Sequence, residues 1–577
     1  MANSGNTRIY HLKAFRELRI VTLEKYAKFE EENEEECVKV RLLPSGSGVG
    51  HKNDHNSSGN FPSTAEIFGR ELIIDKEYKF GCNQKFAIYT FTGCTIQIKG
   101  RTLQEYESGN STMKEYLSLS YTLDAYRKLA KKKKKIGPRV LITGNNNSGK
   151  SSVSLILLNY ALKSGFKPIF IEADTKCTCD KVELNRGPGI MSAFVYDPMN
   201  RMKCALDYYF GYLDLNEDIN LYYHLNECIS SCVHLMLLNN LNSVSSSVKT
   251  DGQQEGIYAA GFILNVPSEA DHHVINNLIE IYGINIVIVI DNAFLHYSLK
   301  DQYGDEASRR VADRGRSFAR EGGSDYGRDY EGDYHHDSRH DNRHDTRHDN
   351  RHDTLAEGNR KLNSLPAADE ERKDNKDMDD PVRKVEIVGM PKYEGVIPSD
   401  NNRIRYCKNM WYYQYFTKDI IVTKNLYRRS HIISFKYSLT NFIKLDTNLA
   451  VPLSALPADA RDIQRENVTV SLYNGNITNL TNCILGVSYS QNLNYVHLMN
   501  IAAFVHVQSV RLVELEVGED REKSEKGADE TQGNADAQGS ADTHKDYLIE
   551  ILCPLCVTTK NLPPYFVVPG NAKQMKF

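Results

Sequence analysis

Residues 138–174, PRVLITGNNNSGKSSVSLILLNYALKSGFKPIFIEAD, constrain the fold more than any other stretch. Val140, Leu141, Ile142 and Thr143 form an apolar run suited to a buried parallel strand. GNNNSGKS at 144–151 then satisfies G-x-x-x-x-G-K-[ST]. Gly144 and Gly149 let the backbone fold back so that successive N–H groups converge on phosphate oxygens. Lys150 supplies a point charge for the β- and γ-phosphates, and the Ser151 hydroxyl is placed to hold Mg²⁺. Val153, Leu157, Tyr160 and Ala161 recur at helical spacing, so a helix opens at the loop with its positive end facing the phosphates. A second strand, IFIE at 169–172, follows and leads to Asp174. The pattern arises by chance about 0.02 times in a chain this long, and here it lies between a strand and a helix. The sequence predicts a nucleoside-triphosphate site.

The other bounds are looser. A chain of 577 residues predicts two to four domains. The formal charge of −4 gives no global basic field, so any nucleic-acid contact is local. No apolar run is long enough to span a bilayer, so no membrane partner is expected. The first residues show no signal-peptide apolar core, which predicts a cytosolic or nuclear protein. Its cysteines lack a disulfide framework and are expected to be reduced and mostly buried. Cys553 and Cys556 form a lone C-x-x-C, read as strand packing ahead of zinc.

Short β-branched and aromatic segments around 17–22, 65–72, 86–91 and 94–99 predict a small N-terminal β-sandwich over 1–112, with a polar loop at 46–60. From Met113 the period becomes helical. The lysine run at 131–135 is either a solvated helix end or a cationic contact for RNA or nuclear import. The P-loop domain is expected over 113–418, interrupted at 301–382 by an Arg-His-Asp-Asn/Thr repeat and other low-complexity sequence. IVIVI at 286–290 predicts a buried strand of that domain. Asp291 after it is a Walker-B-like carboxylate or a helix N-cap. WYYQYF at 411–416 is read first as packing, then as a base-stacking surface. Strands return over 419–577 as a C-terminal β-domain with a polar insert at 516–545.

The run AEIFG at 65–69, KFAIYTFTGCTIQIKGRT at 85–102, M-x-x-YL at 113–117 and the P-loop unit itself together resemble the Clp-type RNA kinase family. That family holds polynucleotide 5′-hydroxyl kinases and the kinase-like subunit of the pre-mRNA 3′-end cleavage and polyadenylation factor. The likeness is strong over 61–175 and returns near 284–300, 390–416 and 501–568. It implies an α/β fold, a central P-loop domain with a parallel sheet flanked by N-terminal and C-terminal β-domains.

It also implies ATP with Mg²⁺, held between the N-terminal domain and the P-loop. Glu17 and Lys85 match the family's residues beside base and sugar; otherwise they are edge-strand charges. Gly144, Asn147, Ser148, Gly149, Lys150, Ser151 and Ser152 carry over onto the phosphates. Asp174 matches the base for an RNA 5′-hydroxyl and, with Ser151, a Mg²⁺ ligand; otherwise it caps the next turn. Lys150 and Asp174 are thus the catalytic candidates.

Three departures stand out. The family's glycine-rich V-G-Q-G-S segment is replaced by TKCTC at 175–179, with no glycine. The tryptophan that stacks on the acceptor becomes Phe262, a smaller stacking face. The family's lid arginines fall on Lys408 and Tyr413, with Arg403 and Arg405 nearby as replacements or as an exposed basic helix face. Phe262, Arg403, Arg405 and Lys408 are the candidate RNA contacts. The ATP-holding half is intact while the acceptor half is rewritten. The resemblance therefore predicts an ATP-stabilised scaffold of the nuclear pre-mRNA cleavage and polyadenylation complex, bound to a scaffold subunit. The alternative is an active RNA 5′-hydroxyl kinase that acts on an RNA 5′ end and serves the tRNA-splicing endonuclease complex. An unrelated P-loop ATPase is third.

Overall fold

The structure is a computed structural model. It describes residues 7–25, 36–44, 63–176, 178–181, 183–197, 205–245, 256–304, 385–398, 400–417, 420–423, 426–428, 430–447, 468–515, 544–554 and 557–577. The polar loop at 46–60, the inserts expected at 301–382 (beyond Gly304) and 516–545 (up to Thr543), and Cys556 lie outside the described residues.

The N-terminal strands are β1 (Arg8–Leu12), β2 (Arg16–Thr22), β3 (Val38–Leu43), β4 (Glu66–Ile67), β5 (Arg70–Glu71), β6 (Glu77–Phe80), β7 (Lys85–Thr90), β8 (Cys94–Lys99) and β9 (Thr102–Ser108). They form two sheets, β1-β8-β3-β6 and β5-β4-β7-β2-β9, closed on a core that includes Leu18, Ile20, Val38, Val40, Phe86, Ile88, Ile96 and Ile98. Strand alternation decides what the second sheet shows outward. With Leu18, Ile20, Phe86 and Ile88 turned into the sandwich, Glu17, Arg19, Val21, Lys85, Ala87 and Tyr89 face the other way and line a cleft.

Helix α1 (Met113–Lys133) follows, ending in a left-handed Lys134 whose N–H closes back on the last turn. Residues 131–135 are all exposed, as both readings of the lysine run require. The next elements are β10 (Arg139–Gly144), α2 (Lys150–Lys163), β11 (Ile169–Glu172), β12 (Ile190–Val195), β13 (Leu206–Tyr209), α3 (Ile219–Ser245), α4 (Ile257–Ala260), β14 (Phe262–Asn265), α5 (His272–Tyr282), β15 (Ile286–Ile290), α6 (Ala293–Tyr303), β16 (Glu386–Met390) and α7 (Asn401–Tyr412). Strands β16, β15, β10, β14 and β11 lie side by side and parallel. β10 sits in the middle, so the loop after it opens at the carboxyl edge of the sheet, where such folds bind ligands. β12 and β13 continue the sheet antiparallel. The N-cap of α6 is Asn292, whose Oδ1 accepts Leu295 N–H at 3.0 Å. Asp291 is therefore not the N-cap: it sits left-handed at φ 57, 3.9 Å from Lys392.

The C-terminal strands are β17 (Ile420–Thr423), β18 (Leu426–Arg428), β19 (His431–Lys436), β20 (Asn441–Asp446), β21 (Thr469–Leu472), β22 (Ile484–Ser488), β23 (Ile501–Leu515), β24 (His544–Cys553) and β25 (Tyr565–Val567). They have a core of their own around Phe435, Phe442, Val505, Ile549 and Phe566. Apart from the β17-β18 hairpin, they extend the P-loop sheet into a 14-stranded one through one pairing, Asp207 with Ile501. Trp411, Tyr412, Tyr415 and Phe416 pack against Phe504, His506 and Phe577 with ring centroids 5.1–6.3 Å apart. The aromatic run is packing.

Candidate functional site

The phosphate loop is shaped by backbone that few residues tolerate. φ is +147° at Gly144, +55° at Asn147 and +95° at Gly149, so the chain reverses, with Ser148 N–H turned back on Asn145 O at 3.3 Å. A Cβ at Gly144 would lie 2.1 Å from the Ile290 carbonyl oxygen of β15; glycine there seats the loop against the neighbouring strand. Val153 N–H donates to Gly149 O at 3.0 Å and starts α2. The Lys150 side chain is buried, and its Nζ donates to Gly144 O at 3.1 Å, Asn145 O at 3.3 Å and Ser268 Oγ at 2.9 Å. Burial lowers the Lys150 pKa, opposed by the charges of Asp174 and Glu269.

Two carboxylates lie at the end of β11, two residues apart. Glu172 Oε1 accepts the Asp174 N–H at 3.1 Å and Asn265 Nδ2–H at 2.7 Å. Burial, and then the charge of Asp174, push the Glu172 carboxyl well above its usual range. Burial also raises Asp174, with Lys150 working against it. Asp174 Oδ1 accepts Lys176 N–H at 3.1 Å, so this residue caps the next turn as well as facing the loop. Ser151, Glu172, Asp174, Arg186 and Asn265 line one small cavity beside the main cleft.

These residues fit Mg²⁺ held largely by phosphates. A serine hydroxyl and one carboxylate are the share a P-loop protein gives such an ion, which keeps several waters and needs no protein cage. Among the described residues no group of three or more His, Cys, Asp or Glu is arranged to hold a metal. Backbone N–H groups, Lys150 and Ser151 together fit a triphosphate.

The opposite wall comes from β2 and β7. Glu17 is fully buried; its Oε1 accepts from Arg19 Nε at 2.5 Å and Tyr393 OH at 2.6 Å. Arg19 Nη2 donates to Asn110 O at 2.7 Å, and its guanidinium lies over the Tyr393 ring at 4.9 Å. Lys85 lies 3.8 Å from Glu24. Burial and the nearby Arg403 charge lower its pKa. Tyr393, Gly395, Val396 and Ile397 close the cleft from a third side.

One cleft therefore collects Glu17, Lys85, Asn147, Ser148, Gly149, Lys150, Ser151, Ser152, Asp174 and Arg403. Gly144 contributes behind it. Three expected RNA contacts are placed elsewhere. The stacking role for Phe262 is corrected: it is fully buried in β14, 6.0 Å from the Tyr282 ring and 6.2 Å from His234. The lid role for Lys408 is corrected too, because its Nζ donates to Gln574 O at 2.8 Å and Lys576 O at 2.7 Å. Arg405 is exposed on α7 and does not line the cleft. Arg403 does, but it is ion-paired with Asp180, the residue just after the rewritten segment. Arg19, Glu172, Asp180, Ser268 and Tyr393 were missed by the sequence reading. Alternation offered a signal for two: Arg19 shares a strand face with Glu17, and Glu172 sits two before Asp174.

Residues 53–130 match the family model described as the N-terminal β-sandwich domain of polyadenylation factor, and 144–314 match that of the mRNA cleavage and polyadenylation factor CLP1 P-loop. The chain is 30% identical over 257 residues to the protein CLP1 homolog of Nematostella vectensis, covering 43% of this chain and 55% of the relative. It is 29% identical over 271 residues to the polyribonucleotide 5′-hydroxyl-kinase Clp1 of Gallus gallus, covering 44% and 60%. The chain thus spans little more than half the length of these curated relatives. Among solved structures, a wild-type Clp1p–Pcf11p complex matches with a TM-score of 0.58 over 99% of both chains at 16% identity. A second Clp1p–Pcf11p structure, which concerns ATP loss in a point mutant, matches equally well. At that identity the likeness is one of fold.

Proposed function

The chain belongs to the Clp1-type family, and from that premise we propose that it is an ATP-binding, kinase-like subunit of a nuclear pre-mRNA 3′-end cleavage and polyadenylation complex. In this reading ATP·Mg²⁺ is a structural ligand more than a substrate, and the protein presents its surface to a scaffold subunit. One observation carries it: the residues that would hold ATP converge in one cleft, while of those that would hold an acceptor only Arg403 lines it, and that one is ion-paired. Glu17, Lys85, residues 147–152 and Asp174 line the cleft. Phe262 is core, Lys408 is committed to the chain's last residues, and Arg403 is neutralised by Asp180. Contacts to the ground-state phosphates stabilise a bound nucleotide, whereas transfer needs further charge opposite the transition state.

The second reading is an ATP-dependent RNA 5′-hydroxyl kinase, acting on an RNA 5′ end with tRNA splicing as one setting. Lys150, Ser151 and Asp174 around one cleft favour it, with Asp174 taking the proton of an attacking hydroxyl. ATP supplies the phosphoryl group. The test is transfer of labelled γ-phosphate from ATP to a 5′-OH RNA oligonucleotide, beside retention of ATP by the purified protein. Retained ATP, lost in Lys150→Ala, without transfer above that variant's background is the expected outcome. Transfer abolished by both Lys150→Ala and Asp174→Asn would establish the kinase instead.

A further inference from the structure

The end of α1 carries charge that the nucleotide cleft does not use. Among the described residues, Lys128 and Lys131 to Lys135 make no ion pair and no side-chain hydrogen bond. Lys163, Lys167, Lys176 and Lys181 of the same domain each hold an acidic partner. In a chain of net charge −4 this is a local excess of positive charge, of which the helix C-terminus offsets only about half a charge.

The run is held in shape. Arg127 is buried, pairs with Asp124 at 2.7 Å and donates to Ala260 O at 3.2 Å. Ala130 packs with Ala161, Phe166 and Tyr258. Lys135 N–H closes on Ala130 O at 3.0 Å, and Gly137 N–H on Tyr258 O at 2.8 Å. Lys134 stands in the left-handed conformation at φ 50, where glycine or asparagine is the favoured residue. A receptor that reads a basic peptide in extended form would have to undo this helix end. A polyanion meets the charges where they stand.

An exposed ring lies in line with them. Tyr121 is 67% exposed, and positions 121, 128 and 132 follow one another at two turns and one turn of α1, so they share a face. A single strand fits such a row, because its bases can stack on the ring while its phosphates meet the lysines; a duplex keeps its base faces covered. The run precedes β10 and the phosphate loop follows it, so about 20 Å of strand separates the two.

We propose that the face of α1 from Tyr121 to Lys135 is a docking surface for single-stranded nucleic acid, with the lysines on the phosphodiester backbone and Tyr121 beneath a base. The surface lies outside the cleft and does not depend on whether the cleft transfers phosphate or only holds ATP.

The test is fluorescence anisotropy of a labelled oligouridylate of about twelve nucleotides, titrated with the full chain. A 5′-phosphate on the oligonucleotide removes it as a kinase acceptor. The wild type should bind saturably, its affinity falling with salt at a log–log slope of about −3.5, the value for about five phosphate contacts. Changing Lys131→Gln, Lys132→Gln and Lys133→Gln together should weaken binding about tenfold or more at about 0.1 M salt and flatten the slope by about 2, with ATP retention kept. The same three positions changed to arginine should bind as the wild type does. Tyr121→Ala should weaken the single strand by about fivefold or more and leave a duplex of equal length unaffected. The proposal is overturned by a wild type without saturable binding, by a triple glutamine variant that binds as well as the wild type, or by one that loses ATP retention. A duplex bound as tightly as the single strand, with Tyr121→Ala indifferent, overturns it too. Capture by a purified nuclear-import receptor of the wild type and not of the triple glutamine variant, with no oligonucleotide bound, would make the run an import signal instead.

Discussion

Gly144 and Lys150 belong to one motif but fail in different ways when changed. Gly144→Ala forces a Cβ to 2.1 Å from the Ile290 oxygen at φ +147, which nothing short of moving β15 relieves. A loss of roughly 4 kcal/mol or more is expected, read as a lowered denaturant midpoint or failure to purify soluble. Lys150→Ala should leave the fold and abolish nucleotide retention. Phe262→Ala belongs with the first kind: it empties a fully buried ring site, costs about 3–5 kcal/mol, and lowers the unfolding midpoint without a selective effect on any RNA contact. Lys150 and Ser151 were legible because fixed spacing after a strand carries the chemistry. Glu17 was legible through resemblance. Phe262 was misread because alignment matches a ring type and does not say which way a strand residue points. Tyr393 lies more than 370 positions from Glu17 in sequence, and no local pattern announces a pair that distant.

At the scale of elements, the glycine-free segment after β11 is a dock for α7. Asp180 pairs with Arg403 and Lys181, Cys407 Sγ approaches Thr178 O at 3.6 Å, and Asn185 Nδ2 donates to Cys407 O at 3.0 Å. Burial alone would raise the Asp180 pKa, yet Lys181 and Arg403 prevail and hold it below the usual range. A carboxyl depressed in the folded state stabilises above its unfolded pKa of about 3.9, and that contribution goes as pH falls through the lower folded value. At neutral pH the pair is intact. Asp180→Asn leaves Arg403 buried without its partner, a loss that costs about 3–5 kcal/mol when a pair is truly buried. Because α7 and residues 393–397 flank the cleft, ATP release should quicken by tenfold or more, measured as the dissociation rate of a fluorescent analogue. An unchanged rate would mean that α7 does not gate the cleft. The strand and helix periods were readable here; the docking was not, since a segment defined by lacking glycine says nothing of what replaces its function.

For the whole molecule, the sequence supports three compositional blocks, but hydrogen bonding runs from β16 to β21 through one sheet. The Asp207–Ile501 pairing that joins its halves spans nearly 300 residues, and strand propensity carries no information on such partners. The joint is reinforced where α7 meets the C-terminal strands. His506 on β23 is buried there, its Nδ1 3.0 Å from Tyr412 OH of α7 and its ring 6.5 Å from Phe577. Burial lowers its pKa to about 4, with the Asn482 backbone pulling slightly the other way. The unfolded chain takes this proton near pH 6.5, the folded one only near 4, so the unfolded state binds more protons between the two. Stability from this group is complete above pH 6.5 and drains as pH falls toward 4, by up to about 3 kcal/mol. Carboxylates titrate in the lower part of that window, so the informative quantity is a difference. His506→Gln, neutral throughout, should be less stable at pH 7 and have a flatter unfolding midpoint from pH 6.5 to 5, the two curves converging as acid is added. Parallel curves would place the acid sensitivity elsewhere. If nucleotide retention falls over the same interval in the wild type and not in His506→Gln, the C-terminal strands and the cleft are coupled through α7, whose two ends carry Arg403 and Tyr412.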